Sequence, residues 1–157
     1  MVTYFSKYFF DGSKLNNDVY FSVANGRISK ITSIAEPNAI VLDGIVTPGF
    51  IDTQVNGGGG LLLNNTPTLE TIERMSQAHR RYGTTSMLPT LITDDKDVMH
   101  KAADSVAEAI ERSIPGIAGI HFEGPHLSVS KRGIHSEKHI RNITDSELSI
   151  LLSLIHI

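Results

Sequence analysis

The sequence predicts an α/β protein: an incomplete (β/α)8 TIM-type barrel preceded by a small β-rich segment. Three observations lead there. Up to about Val46 the chain alternates short β-favouring runs with turn dipeptides. From Thr47 onward the rhythm becomes strand, helix, strand, helix, strand, the order that builds a parallel sheet with right-handed crossovers. A complete barrel of this kind takes about 250 residues, and fewer than half that number follow Thr47 in a chain of 157.

In the first segment, Val19-Tyr20-Phe21-Ser22-Val23 and Ile28-Ser29-Lys30-Ile31 flank Asn25-Gly26. That dipeptide favours the positive φ values of a two-residue hairpin turn. Asp11-Gly12 and Asp43-Gly44 are expected to form two further turns. So few strands make a sheet too small to be stable alone.

In the second segment, Thr47-Pro48-Gly49-Phe50-Ile51-Asp52 leads into the first barrel strand, and a glycine-rich stretch follows. Thr68 is placed to cap a helix running through Tyr82, with Leu69, Ile72, Met75 and Tyr82 near one face and Gly83 as its stop. Residues 84–91 form a Thr-rich strand candidate. Thr93 or Asp94 caps a second helix reaching about Arg112, with Val98, Ala102, Val106 and Ile110 on one stripe. Residues 117–122 are the third strand, and Thr144 with Glu147 has the spacing of a capping box.

The tail Leu152-Ser153-Leu154-Ile155-His156-Ile157 is what CTGTCTCTTATACACATC encodes, the transposon mosaic end of tagmentation libraries. Residues 152–157 are therefore expected to be adaptor-derived, with native sequence stopping near Leu151 and no chemistry at His156; an ordinary amphipathic helix end is the alternative. The expected organisation is thus 1–47, 48–151 and this tail.

Composition bounds the function. With 40% hydrophobic and 20% charged residues the chain has material for a core. A net charge of -3 and a pI near 6.1 argue against nucleic acid as a partner. Cysteine is absent, so any metal must use His, Asp, Glu, Asn, Gln or water. Lys7 and Asp11 interrupt the aromatic N-terminus, which lacks a signal-peptide core, and no apolar run reaches membrane-span length. No membrane partner is expected, and the expected location is the cytoplasm.

Three short segments carry chemistry. In Gly119-Ile120-His121-Phe122-Glu123-Gly124-Pro125-His126, residues two apart share a strand face, so His121 and Glu123 point the same way. A carboxylate at the C-terminal end of a parallel strand sits where barrel enzymes place catalytic groups, and it suits a divalent cation. Judged alone, a strand-end Glu is more often a salt-bridged or solvated loop carboxylate. Gln54 and Asn56 lie two apart at the end of the first barrel strand, with amide oxygens able to orient a water or a metal. The following glycines permit close approach of a ligand, or form a plain flexible loop. Lys131-Arg132-Gly133-Ile134-His135 offers two cations and a His to an anionic sugar phosphate; a solvated basic loop is the alternative. His79, His100 and His139 are expected at the surface.

In series, Pro-Gly-Phe-Ile-Asp-x-Gln-x-Asn-Gly, Thr-Ser-Met-Leu-Pro-Thr-Leu, Gly-Ile-His-Phe-Glu-Gly-Pro-His and Lys-Arg-Gly-Ile-His resemble the N-acetylglucosamine-6-phosphate deacetylases, a branch of the amidohydrolases, from Val46 to about Arg141. The resemblance implies that residues 1–47 are the N-terminal part of a small β-sandwich and residues 48–151 the first βα units of a metal-dependent barrel. It implies hydrolysis of the acetamide of N-acetylglucosamine 6-phosphate to glucosamine 6-phosphate and acetate, with one divalent metal ion, Zn2+ by expectation. Glu123 matches the family's metal-binding carboxylate. Gln54 and Asn56 stand where many amidohydrolases carry a His-x-His pair, which points to the single-metal branch, with His121 adjacent to the metal. Ile134, with Gly133 and His135, falls where the family contacts the amino sugar. Two metal-binding histidines and the general-base Asp come from later strands, so no catalytic residue is expected in this fragment, which is expected to be inactive alone. The full-length form is expected to be a homodimer acting on a phosphorylated N-acetyl amino sugar. Alternatives are the N-acetylgalactosamine 6-phosphate epimer, which no residue here separates, and a non-catalytic half-barrel. Dihydroorotase and hydantoinase types want His-x-His at Gln54 and Asn56 and rank lower.

Overall fold

The computed structural model describes residues 1–153. Leu154, Ile155, His156 and Ile157, on which most of the adaptor reading falls, lie outside the described residues. The chain divides into two compact units with the boundary between Pro48 and Gly49.

The first unit is a four-stranded sheet in the order β3-β2-β1-β4, built from β1 (Val2–Phe10), β2 (Leu15–Ala24), β3 (Arg27–Thr32) and β4 (Ile40–Val46). β1, β2 and β3 run as antiparallel neighbours, while β4 lies parallel to β1. Asn25 and Gly26 both take positive φ, 51° and 71°, the requirement of the tight hairpin turn expected there. At the first turn, the Asp11 carboxylate accepts from the backbone N–H groups of Ser13 and Lys14. Asp43-Gly44 is a correction: it lies inside β4 rather than at a turn. The register passes from Ser6↔Leu42 to Tyr8↔Ile45, so β4 carries one extra residue, and Gly44 at φ 89° absorbs the bulge. Phe9, Val19 and Phe21 are buried together, with Tyr4, Val23, Leu42 and Val46 packed on them.

The second unit is built on three parallel strands in the order β5-β8-β9, with β5 at Phe50–Val55, β8 at Thr84–Ile92 and β9 at His121–Glu123. A small hairpin, β6 (Gly57–Gly58) and β7 (Leu61–Leu62), follows β5. Helix α1 (Leu69–Arg80) joins β5 to β8, and α2 (Lys96–Glu111) joins β8 to β9. This is a mixed α/β arrangement; among the described residues the strands form an open sheet, and a closed barrel is not formed.

Periodicity explains the helices. Thr68 caps α1 by accepting from Thr71 N–H, and Thr71, Ile72, Met75 and Ser76 form its buried face. Tyr82 falls beyond the helix and is 83% exposed, a correction to the expected stripe. Asp95, not Thr93 or Asp94, caps α2 through Val98 N–H. The buried stripe is accordingly Met99, Ala102, Ala103, Val106 and Ala109, with Val98 and Ile110 packed at its margin. Met99, Ala102, Val106 and Ala109 meet Ile72 and Met75 of α1 and Val55, Leu63, Met87 and Leu91 in one core. The third strand is shorter than expected, because only Ile117 bridges to Met87 before His121 begins the ladder.

A long segment with two 3-10 turns, Val129–Lys131 and Glu137–His139, connects β9 to α3 (Asp145–Ser153). The capping box opening α3 is formed in both directions. Glu147 N–H donates to the Thr144 hydroxyl at 3.3 Å, and Thr144 N–H donates to Glu147 Oε2 at 3.1 Å. Glu147 is also paired with Arg141 and is 1% exposed. Arg141 donates further to the carbonyls of Asp94 and His139, at 2.8 and 2.7 Å, and so fastens the segment to the start of α2. No helix among the described residues is long and apolar enough to cross a membrane.

Candidate functional site

Parallel strands present their carboxyl ends on one side of the sheet, and the register decides which side chains meet there. Thr90 pairs with His121 and Ile92 with Glu123, while Val55 pairs with Pro89. The last residues of β5 and β9 therefore reach toward each other over β8. Gln54 Nε2 donates to Glu123 Oε2 at 2.9 Å, and Asn56 Nδ2 lies 3.5 Å from the same oxygen. From the other side His135 Nε2 comes within 3.5 Å of Glu123 Oε1. His121, on the same face of β9 two residues earlier, places Nδ1 3.0 Å from the Thr53 carbonyl; since a carbonyl only accepts, Nδ1 carries the proton.

Three of the expected site residues, Gln54, Asn56 and His135, thus meet at the Glu123 carboxylate, whose side chain remains about one-third exposed, at 32%. The basic segment is divided. His135 is buried at 7% exposure behind Glu123, while its neighbour Ile134 is 88% exposed. Gly133 is exposed and turns the chain at φ 57°. Arg132 is committed to its own loop, donating to the His135 carbonyl at 3.2 Å, and Lys131 is exposed. Of the three histidines expected at the surface, His100 is exposed. His79 is a correction: it is half-buried, and its Nε2 donates to the Gly57 carbonyl at 2.9 Å, holding the β6–β7 hairpin onto α1. His139 is half-buried too.

Asp94, Asp95 and His139 form a second group with one ligand atom of each within 4.8 Å of the others. Both of its carboxylates are engaged by hydrogen bonds within the protein. Asp95 accepts from Val98 N–H, and Asp94 accepts from Asn64 Nδ2 at 2.8 Å and from Asp95 N–H at 2.9 Å. The Val98 bond is the main reason that the Asp95 carboxyl is held below its ordinary pKa.

Thr93 is the residue that sequence reasoning assigned elsewhere. One of two cap candidates for α2, with Asp94, it does not cap the helix; its side chain is buried against His135 and Glu123. No sequence signal links positions 42 residues apart.

The model of the amidohydrolase family matches residues 45–152. The chain belongs to that family. It is 61% identical over 117 residues to an N-acetylgalactosamine-6-phosphate deacetylase of Shewanella sp. strain ANA-3, an alignment covering 74% of this chain and 30% of that protein. It is 39% identical over 99 residues to an N-acetylglucosamine-6-phosphate deacetylase of Haemophilus influenzae, covering 63% of this chain and 26% of the relative. Among solved structures, N-acetylglucosamine-6-phosphate deacetylase from Pasteurella multocida is similar at 31% identity and a TM-score of 0.89, covering 98% of this chain and 42% of the other. The chain therefore spans about a third of the length of the curated relatives it matches. The amidohydrolases are a family of metal-dependent hydrolases, and the α/β arrangement described above corresponds to the N-terminal part of the deacetylases.

Proposed function

We propose that this chain carries the first part of a deacetylase that hydrolyses the acetamide of a 6-phosphorylated N-acetylhexosamine, releasing acetate and the free amino sugar phosphate. The observation that supports it most is the convergence of Gln54, Asn56 and His135 on Glu123 at the carboxyl ends of the strands, in a chain 61% identical to a deacetylase of this class. In this reading residues 1–47 belong to a small β-sandwich and residues 48–151 are the first βα units of a (β/α)8 barrel.

The donor set suits a divalent ion. Glu123 is an anionic oxygen ligand, partly open, at the position in a parallel sheet where such groups meet substrate. A divalent ion held there, Zn2+ by preference, would polarise the acetamide carbonyl and activate a water. Glu123 is the ligand this chain supplies. Gln54 and Asn56 orient it by donating N–H groups to one oxygen, while His135 faces the other. Amides carry no charge and are weaker ligands than imidazoles, which favours one metal rather than two. His121 braces the end of β5 through the Thr53 carbonyl. Ile134, exposed at the tip of the segment that carries His135, is the side chain offered to the sugar. The remaining metal ligands, the general base and a homodimeric assembly are assigned to sequence outside these residues, and the site of action to the cytoplasm.

The galacto epimer has a specific observation in its favour: the 61% relative is named for N-acetylgalactosamine 6-phosphate, whereas the gluco-named relative in Haemophilus influenzae is 39% identical. The deciding experiment measures acetate release from both sugar phosphates by a chain extended to the relatives' length. Turnover of either supports the proposal, the faster one fixing the epimer; turnover of neither, in a metal-loaded protein, overturns it. The 157-residue chain alone is expected to release no acetate.

A further inference from the structure

Thr93 follows β8 directly and is 4% exposed. Its Oγ1 lies 2.7 Å from His135 Nδ1 and 3.3 Å from the Glu123 carbonyl oxygen. Its backbone N–H is directed at the same Nδ1, at 3.4 Å between heavy atoms.

A neutral imidazole has one N–H and one lone pair. The Thr93 N–H can only meet a lone pair, so Nδ1 must be unprotonated. At the opposite end of the ring, Nε2 faces Glu123 Oε1 at 3.5 Å, where a carboxylate attracts an N–H and repels a lone pair. Both ends demand the same tautomer. The one hydroxyl proton of Thr93 then belongs to the 2.7 Å contact with Nδ1, not to the longer contact with the carbonyl.

We propose that Thr93 is a positioning residue: with its hydroxyl and its backbone N–H it holds His135 as the Nε2–H tautomer, aimed at Glu123. Two features make the arrangement specific. A Cβ on residue 124 would come within 2.1 Å of Thr93 Oγ1, so the hydroxyl can stand there only because that residue is glycine. His135 is buried, so water does not compete for the ring nitrogens. The result is a carboxylate hydrogen-bonded by Gln54 at Oε2 and faced by the His135 N–H at Oε1, an arrangement set before any ligand arrives. The meaning of that arrangement for catalysis rests on the deacetylase reading; the ring orientation does not.

The test is nitrogen-15 NMR of the histidine side chains in this chain at neutral pH. His135 is expected to show an unprotonated Nδ1 and a protonated Nε2. Thr93→Ser should keep that pattern, and Thr93→Val should shift population toward the other tautomer. A wild-type His135 protonated at Nδ1 overturns the proposal even if the valine variant fails to fold. A folded valine variant with an unchanged pattern overturns the role of the hydroxyl. Absence of acetate release from the extended protein bears on the deacetylase reading alone and leaves these spectra unaltered.

Discussion

Gln54 and Glu123, 69 residues apart in sequence, are joined by a 2.9 Å hydrogen bond that spans from the first parallel strand to the third. Because the amide uses its N–H here, its oxygen points elsewhere, and the carboxylate gains a donor without gaining a charge. Gln54→Ala is therefore expected to weaken divalent-metal binding in a chain extended to the relatives' length by roughly 10–100-fold, the usual cost of losing a group that orients a ligand. Isothermal titration with Zn2+ measures it, and unchanged affinity would show that the bond is incidental.

Removing the ligand itself should act more strongly. Glu123→Gln keeps the shape and the hydrogen-bonding capacity but removes the anionic oxygen. The extended protein is expected to lose its bound metal and most of its activity. Metal content by elemental analysis is the readout, and retention of a full equivalent would remove Glu123 from the ligand set.

Glu147 links stability to pH. Burial alone would raise its pKa, but hydrogen bonds from the Thr144 hydroxyl, from Arg141 and from Thr144 N–H, with the charge of Arg141, outweigh that and hold it below the ordinary value. A carboxyl whose pKa is lower in the folded state contributes stability above its unfolded pKa of about 4.3, and loses it as pH falls through the folded value. The docking of α3 is expected to fail on that acid limb. At neutral pH, Glu147→Ala should cost about 3 kcal/mol by stranding the Arg141 charge. Denaturant titrations at neutral pH and on the acid limb check this; a variant as stable as the parent at neutral pH would show the pair to be inert.

Gly49 tests the start of the parallel sheet. A Cβ there would lie 2.0 Å from Thr85 Cγ2 and 2.6 Å from Thr85 Cβ, a neighbour whose own backbone is fixed in β8. Gly49→Ala is expected to destabilise the second unit by about 1–3 kcal/mol, as overpacking does. Thermal unfolding monitored by circular dichroism should register the loss.

His79→Ala removes the bond to the Gly57 carbonyl, at a cost of about 1 kcal/mol. Hydrogen exchange at the amides of residues 57–62 is expected to quicken while that of β8 stays constant. Equal quickening throughout would mean that the histidine supports the whole unit rather than the hairpin.

The sequence by itself determined the elements and most of the carboxylate's surroundings. Thr68 and the Thr144–Glu147 box announced their helices because capping is local chemistry, decided within four residues. His121 and Glu123 share one face because a strand's period is two, and the motif resemblance sets Gln54 and Asn56 beside the metal and His135 with the sugar-contacting segment. What only the tertiary structure decided were relationships between distant segments. Asp43-Gly44 reads as a turn until the register of β1 against β4 makes it a bulge. His79 reads as surface until the Gly57–Gly58 backbone packs on α1. Thr93 reads as a cap until the segment after β9 folds back and sets His135 against it. In each case the residue's own neighbours allow both answers, and the partner that chooses between them is brought near only by the fold.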